Sequence, residues 1–350
     1  MSPHTPAATV PAMESSTLAG WVGDVAAFTA RQWQRRPAAF TPEPGSSPSP
    51  FGLEELDSAF DAGLLRTPYL EMVRSDKVIV PPEAYTTSRG VHGTTYDGFA
   101  DRAKVLSLLG DGATLLLRRV DQWHPATGEL VARLSAELDR RVEAFFFVTP
   151  AGGQGLAVHR DDADVFVLQA AGRKTWYVHG APAVADWAPG ELADDEHSPR
   201  LLRTVLGPGS ALYIPRGFAH RAVGAAGLSA HLSLTVRDIN LGDLRSALEH
   251  LVSQGLSLPA LPLGEAAIAE AGDGLLGHYR ARLEAITPQD LLAAARYRQE
   301  LPPAAPERPR ALAEAARTWE PAGSADTRAA TLASVGRTWR RLRDAARPAR

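Results

Sequence analysis

The sequence predicts a mainly β protein with flanking helices, centred on a small antiparallel barrel or sandwich. Between about Val142 and Val236 five short apolar runs follow one another: "EAFFFVTP", "DVFVLQA", "KTWYVHG", "SALYIP" and "AHLSLTV". Gly and Pro turn signals separate them, the texture of an antiparallel β fold. Ahead of that stretch and behind it, apolar residues recur at helical spacing instead. The chain has 350 residues, 45% of them hydrophobic, enough to bury one large core with additions.

Composition excludes several chemistries. There is no cysteine, so disulfides, thiolate metal sites and cysteine nucleophiles are out, and any metal must sit on nitrogen and oxygen. A net charge of -3 gives no global reason to expect DNA or an anionic membrane as partner. No apolar run approaches the roughly 20 residues that cross a bilayer, and the N-terminus lacks a basic segment followed by an apolar one. A cytoplasmic location is the expectation.

Each element has its local cause. The first residues, "MSPHTPAATVPAMESS", are rich in Ala, Pro, Ser and Thr, so residues 1–17 are expected to be disordered. From Leu18 a helix is predicted with Trp21, Val25 and Phe28 on one face. A second, with Leu53, Leu56 and Phe60, stops near Gly63 after the loop "TPEPGSSPSP". Residues 64–92 mix turns with β-type runs such as "KVIVPP". "FADRAKVLSLLG" is a helix, "GATLLLRRV" a strand, and Leu130, Leu134 and Leu138 are the stripe of the helix that follows. "VADWAPGELADDEHSPR" is acidic and turn-rich, an exposed insertion in which His197 is solvated. Asn240 caps a helix carrying Leu241, Leu244, Leu248 and Leu251 that ends near Gly255. Thr287, Pro288 and Asp290 mark the start of another, with Ile286 placed to staple against Leu291. The last fifty residues hold ten Arg against five acidic residues, so this tail is +5 while the rest of the chain is -8. Leu332, Val335, Trp339 and Leu342 give the tail an apolar face opposite its arginines. That face suits docking on its own or a partner subunit, or a basic contact for a peptide, an acidic surface or RNA.

The chemistry concentrates in "LAVHRDDADVFVLQAAGRKTW". His159 and Asp161 are two apart, so on an extended strand both leave the same face, roughly 6.5 Å apart along the chain. With ten histidines, about half an H-x-D is expected by chance, so this pair is weak evidence alone. His220 strengthens it: in "GPGSALYIPRGFAH" a turn, a strand and a second turn at Pro215-Arg216-Gly217 present that histidine at the strand's far end. Two imidazoles and a carboxylate form the facial triad associated with non-haem Fe(II). Three octahedral positions stay open, which suits oxidation better than structure.

Lys174 alternates with Trp176 and Val178, so it shares a face with apolar residues. An unpaired ammonium there would be costly or would lose its proton, and a bound carboxylate would satisfy it. The alternative is a lysine that snorkels off a half-exposed strand. In "LSAHLSLTV" Ser229, His231, Ser233 and Thr235 make one polar face, turned either to solvent or into a wet barrel interior. If that face lines a wet interior, His231 stands behind the metal ligands or meets the substrate, but as a lone histidine it reads rather as structural. His92, His124, His179, His250 and His278 have no matching neighbours.

"QGLAVHRDDADVFVLQAAGRKTW", "PGSALYIPRGFAHRA" and "LSAHLSLTV" resemble the JmjC-type ribosomal oxygenases, which hydroxylate arginine or histidine in ribosomal proteins. The likeness extends upstream through "WQRRPAAF", "TPYLEMVRSDKVIVPP", "LLGDGATLLLRRVDQWHP" and "FVTP", covering roughly residues 18 to 256. The resemblance implies a double-stranded β-helix of cupin type, Fe(II), 2-oxoglutarate and O2 as reactants, and a helical dimerisation region after the barrel. Residues 18–240 then form a JmjC/cupin-like catalytic domain, 241–300 the region that makes a homodimer, and 301–350 an Arg-rich helical end. By the same resemblance His159, Asp161 and His220 match the iron ligands, and Lys174 the lysine that pairs with the distal carboxylate of 2-oxoglutarate. Thr235 falls where a hydroxyl residue lines the pocket in some members. No catalytic side chain beyond the metal ligands is implied.

The chain departs from that family twice. Phe145 and Phe147 stand where several members place an asparagine and a tyrosine, and an Arg- and Ala-rich stretch stands where members end in a winged-helix domain. Both departures fit a peptide other than the usual one. The expected function is therefore an Fe(II)- and 2-oxoglutarate-dependent hydroxylase acting at the β-carbon of His or Arg. Its substrate would be a ribosomal protein or a ribosomally made peptide natural-product precursor, with Phe145, Phe147, Phe166 and Trp176 as apolar walls that exclude water. The rivals are a cupin-like isomerase or hydrolase using the same metal, and a non-catalytic peptide-binding module.

Overall fold

Alternation along the strands decides what each layer of this fold faces. The computed structural model describes residues 16–298, except 43–48, 75–79, 154, 156, 185, 194–198 and 226. Ahead of the barrel come α1 (Ala19–Val22), α2 (Val25–Arg31), β1 (Ala38–Phe40), α3 (Leu53–Ala62) and β2 (Leu70–Val73). A hairpin of β3 (Thr86–Val91) and β4 (Thr94–Ala100) follows, then α4 (Arg102–Gly110), β5 (Thr114–Leu117), α5 (Val120–Trp123) and α6 (Pro125–Leu138). The barrel runs through β6 (Arg141–Thr149), β7 (His159–Arg160), β8 (Asp164–Ala171), β9 (Lys174–His179), β10 (Gly190–Glu191), β11 (Arg200–Leu206), β12 (Ala211–Ile214), β13 (His220–Gly224) and β14 (Ser229–Arg237). Three helices end the described chain: α7 (Leu241–Ser253), α8 (Gly264–Ala285) and α9 (Pro288–Arg298).

A seven-stranded sheet, β1-β12-β8-β14-β6-β5-β2, lies against a five-stranded sheet, β10-β7-β13-β9-β11. From β6 to β14 the chain passes back and forth between the two sheets, staying in one only through β9, β10 and β11. That order is a double-stranded β-helix, so the expected class holds. Phe146, Phe166, Leu232 and Leu234 point out of the seven-stranded sheet into a core shared with Trp21, Phe28, Leu130 and Leu134 of the helices. Sealing each such large side chain contributes about 1.5–3 kcal/mol. Between the sheets a smaller core gathers Val165, Val167, Leu212 and Ile214 against Trp176, Val178 and Leu206. Gly172 makes the β8–β9 turn at φ +63, and a Cβ there would lie 2.0 Å from the Leu228 carbonyl oxygen. Only glycine fits, and its position fixes where β9, and with it Lys174, begins.

Several expectations are corrected. The stripe from Trp21 to Phe28 belongs to two helices, because Gly23 turns at φ +73 and Asp24 caps anew by accepting from the Ala27 N–H. Residues 16 and 17, taken with the disordered end, are tied down. Ser16 Oγ, Thr17 N–H and Leu18 N–H all donate to the Glu137 carboxylate at 2.6–3.1 Å. In "KVIVPP" Val80 and Pro81 lie in no strand, and Pro82 opens a short 3-10 turn; 77–79 are outside the described residues. The stripe of α7 is rotated: Leu241 is 80% exposed, while Ala247 and Val252 are buried. The caps at Asn240 and Thr287 form as expected, each closed by an aspartate three residues on. His197, residues 1–15 and the Arg-rich tail, with Leu332, Val335, Trp339 and Leu342, lie outside the described residues. No described helix is long and apolar enough to cross a membrane.

Candidate metal and co-substrate site

His159 and His220 meet because β7 and β13 are antiparallel neighbours that place the two directly opposite each other. Their ring centroids are 4.3 Å apart. Each Nδ1 lies on a backbone oxygen two residues earlier, that of Ala157 at 2.7 Å and Phe218 at 3.0 Å. Those bonds put the proton on Nδ1 and leave both Nε2 atoms free as ligands. Asp161 completes the cluster, its oxygens 3.8 Å from His159 Nε2 and 3.5 Å from His220 Nε2. One ligand atom from each residue lies within 4.8 Å of the others, which fits a single ion on two nitrogens and an oxygen. Burial, then the neighbouring His159, hold His220 down to about 4, so it is neutral and ready to ligate at neutral pH.

Arg160, between the two ligands, leaves the strand on the other side. Its buried guanidinium donates to the carbonyls of Gly180 and Gly217, while Gly217 N–H donates to the Asp161 carbonyl at 3.0 Å. The turn at Pro215-Arg216-Gly217 is thereby fastened to the aspartate it must meet.

A cavity of about 250 Å³ opens from the triad between the sheets. Lys174 lines it, only 2% exposed, with Trp176 and Val178 on the same buried face, as expected from the alternation. Its Nζ donates to Thr149 Oγ1 at 2.9 Å, and no carboxylate pairs with it among the described residues. Desolvation pushes this amine down to about 7. A buried cation whose hydrogen-bond partner among the described residues is neutral, in a cavity that begins at a metal-type cluster, has the electrostatics of an anion subsite.

The polar face of β14 points inward rather than to solvent: His231, Ser233 and Thr235 line the cavity. Thr235 sits toward the Arg237 end, its Oγ1 3.4 Å from the Glu143 carbonyl oxygen, whereas the hydroxyl beside Lys174 is Thr149. Phe145, Phe147 and Trp176 form apolar walls, but Phe166 does not. Phe166 faces the helices, packed on Trp21, Phe28 and Tyr213, because it is out of phase with the inward residues Val165 and Val167. Thr149 closes the apolar run "FFFVT" and gives no local signal of a site. His231 does have one: it alternates with the apolar residues of a strand that pairs on both sides, β6 and β8.

Residues 123–244 match the JmjC domain family. It is similar to ribosomal oxygenase 1 of Rattus norvegicus, 33% identical over 163 residues, 45% of this chain and 27% of that protein. Against ribosomal oxygenase 1 of Homo sapiens it is 29% identical over 208 residues, 57% of this chain and 32% of that one. The bifunctional lysine-specific demethylase and histidyl-hydroxylase NO66 of Culex quinquefasciatus is 28% identical over 222 residues, 61% and 32% of the two chains. The chain thus spans about a third of the length of these relatives. Among solved structures it is similar to Escherichia coli YcfD in complex with cobalt and 2-oxoglutarate. That chain is 20% identical, with a TM-score of 0.45, over 76% of this chain and 67% of its own.

Proposed function

We propose that this chain is an Fe(II)- and 2-oxoglutarate-dependent dioxygenase that hydroxylates a side chain, the β-carbon of His or Arg, in a peptide or protein. Lys174 is the observation that carries the reading. A metal site for an isomerase or hydrolase has no use for a buried ammonium at the other end of the cavity, whereas an oxo acid with a second carboxylate does. In this reading His159, Asp161 and His220 hold the iron. Lys174 and Thr149 hold the far carboxylate, and Thr235 lines the cavity toward the substrate. Bound there, the metal and the oxo acid supply the oxidising chemistry. The protein's own share is positioning and the exclusion of water by Phe145, Phe147 and Trp176.

The names of the relatives support a ribosomal protein as substrate. Phe145 and Phe147 support a different peptide, such as the precursor of a ribosomally made natural product. The helical region is proposed to pair two chains, since α8 buries none of its residues and exposes Ile268, Leu276 and Leu283. The test of the activity is succinate formed from 2-oxoglutarate by the Fe(II)-loaded chain, with a one-oxygen mass gain on a candidate peptide. Both are expected to vanish in His159→Ala and Asp161→Ala. Metal binding with no 2-oxoglutarate turnover would instead support the isomerase or hydrolase, and peptide binding with neither would support a binding module.

A further inference from the structure

His231 is a buried imidazole whose Nδ1 has no hydrogen-bond partner among the described residues. It is 3% exposed and lines the cavity. Its ring lies flat on Phe147, centroids 5.0 Å apart and 4° from parallel, and meets Trp176 edge-on at 5.3 Å. Nδ1 is buried without a hydrogen-bond partner, and no described residue bonds the other ring nitrogen. A phenylalanine would fill the same slot without leaving a polar atom unsatisfied, so packing does not explain the nitrogens.

The neighbours say what would satisfy the ring. Burial, then the charge of Lys174, push His231 well below its ordinary value, so the imidazole is neutral and offers one N–H donor and one acceptor. On β14 it stands two residues from Ser229, which pairs with Thr149, the partner of Lys174. Lys174 Nζ is 6.0 Å from the Trp176 ring that His231 abuts. The ammonium and the imidazole therefore approach the same end of the cavity.

We propose that His231 is a binding residue of the anion subsite, donating a hydrogen bond to the carboxylate that Lys174 grips and so selecting an oxo acid with a second carboxylate. This rests on the reading of the cavity as an oxo-acid site. Lys174 supplies charge and Thr149 a hydroxyl. The imidazole adds a neutral donor held rigidly by two aromatic rings, which leaves little freedom to lose on binding.

The test uses the full chain loaded with Mn(II), which allows binding without turnover, and titrates 2-oxoglutarate and 2-oxobutyrate by calorimetry. The second acid lacks the far carboxylate. His231→Phe is expected to weaken 2-oxoglutarate about tenfold, the worth of one hydrogen bond to a charged group. It should leave 2-oxobutyrate and Mn(II) binding within about twofold, and His231→Gln should restore part of the loss. Equal weakening of both acids, or of neither, overturns the proposal while the oxo-acid reading stands. A wild-type protein that binds neither acid overturns both. Should the phenylalanine variant fail to fold, His231→Leu is measured in the same way with the same expected outcomes.

Discussion

Lys174 is the residue whose chemistry is most exposed to test. Desolvation holds its amine near 7, so the ligand-free protein carries an ammonium below that pH and a neutral amine above it. A carboxylate demands the charged form. Binding of 2-oxoglutarate above pH 7 must therefore take up a proton, and its affinity should fall by up to about tenfold per pH unit from there upward. Calorimetry in buffers of different ionisation enthalpy reads that proton directly. Lys174→Met should weaken binding more than about tenfold and abolish this pH dependence. The ligand-free fold responds in the opposite sense. Below pH 7 the lysine is protonated whether folded or unfolded, so the full cost of burying its charge is present there. Between 7 and its ordinary value near 10.5 the unfolded chain holds the proton that the folded one has shed, so stability rises with pH. Methionine should accordingly raise the melting temperature of ligand-free protein at pH 6.

At the scale of elements the site is a matter of register. His159 and His220 are 61 positions apart in the chain and become cross-strand partners only because β7 and β13 pair. The H-x-D spacing, the turn before His220 and the apolar company of Lys174 were legible in the sequence, since each is a local pattern with a chemical reason. The strands that carry the ligands were not. The two residues of β7 are polar and, Val223 aside, the five of β13 are polar or small, so they are strands through their partners more than their own propensity. The inward set of β14 was ambiguous for a related reason: alternation separates two faces without saying which is inside. Arg160 tests the register. Arg160→Met removes the donor that serves the carbonyls of Gly180 and Gly217. It should cost about 1–3 kcal/mol in urea unfolding. It should also weaken Mn(II) binding by about 10–100-fold, because the turn that holds Asp161 loses its staple.

Across the whole molecule, stability and chemistry are kept in separate layers. Phe166→Ala opens the helix-facing core and should cost about 3–5 kcal/mol in urea unfolding while leaving Mn(II) affinity within about twofold. The proposed dimer is separable from both. Leu276→Glu with Leu283→Glu should halve the mass seen by light scattering without lowering the melting temperature of the barrel, since α8 contributes no buried residue. The central sheet has the widest consequence. Along β14 the residues Ala230, Leu232, Leu234 and Val236 answer to the scaffold, while His231, Ser233 and Thr235 answer to whatever occupies the chamber. Substitutions on the second set can accumulate at small cost to folding. A lineage built on this strand is free to exchange one target for another by drift at Ser233 and Thr235, with its architecture left intact.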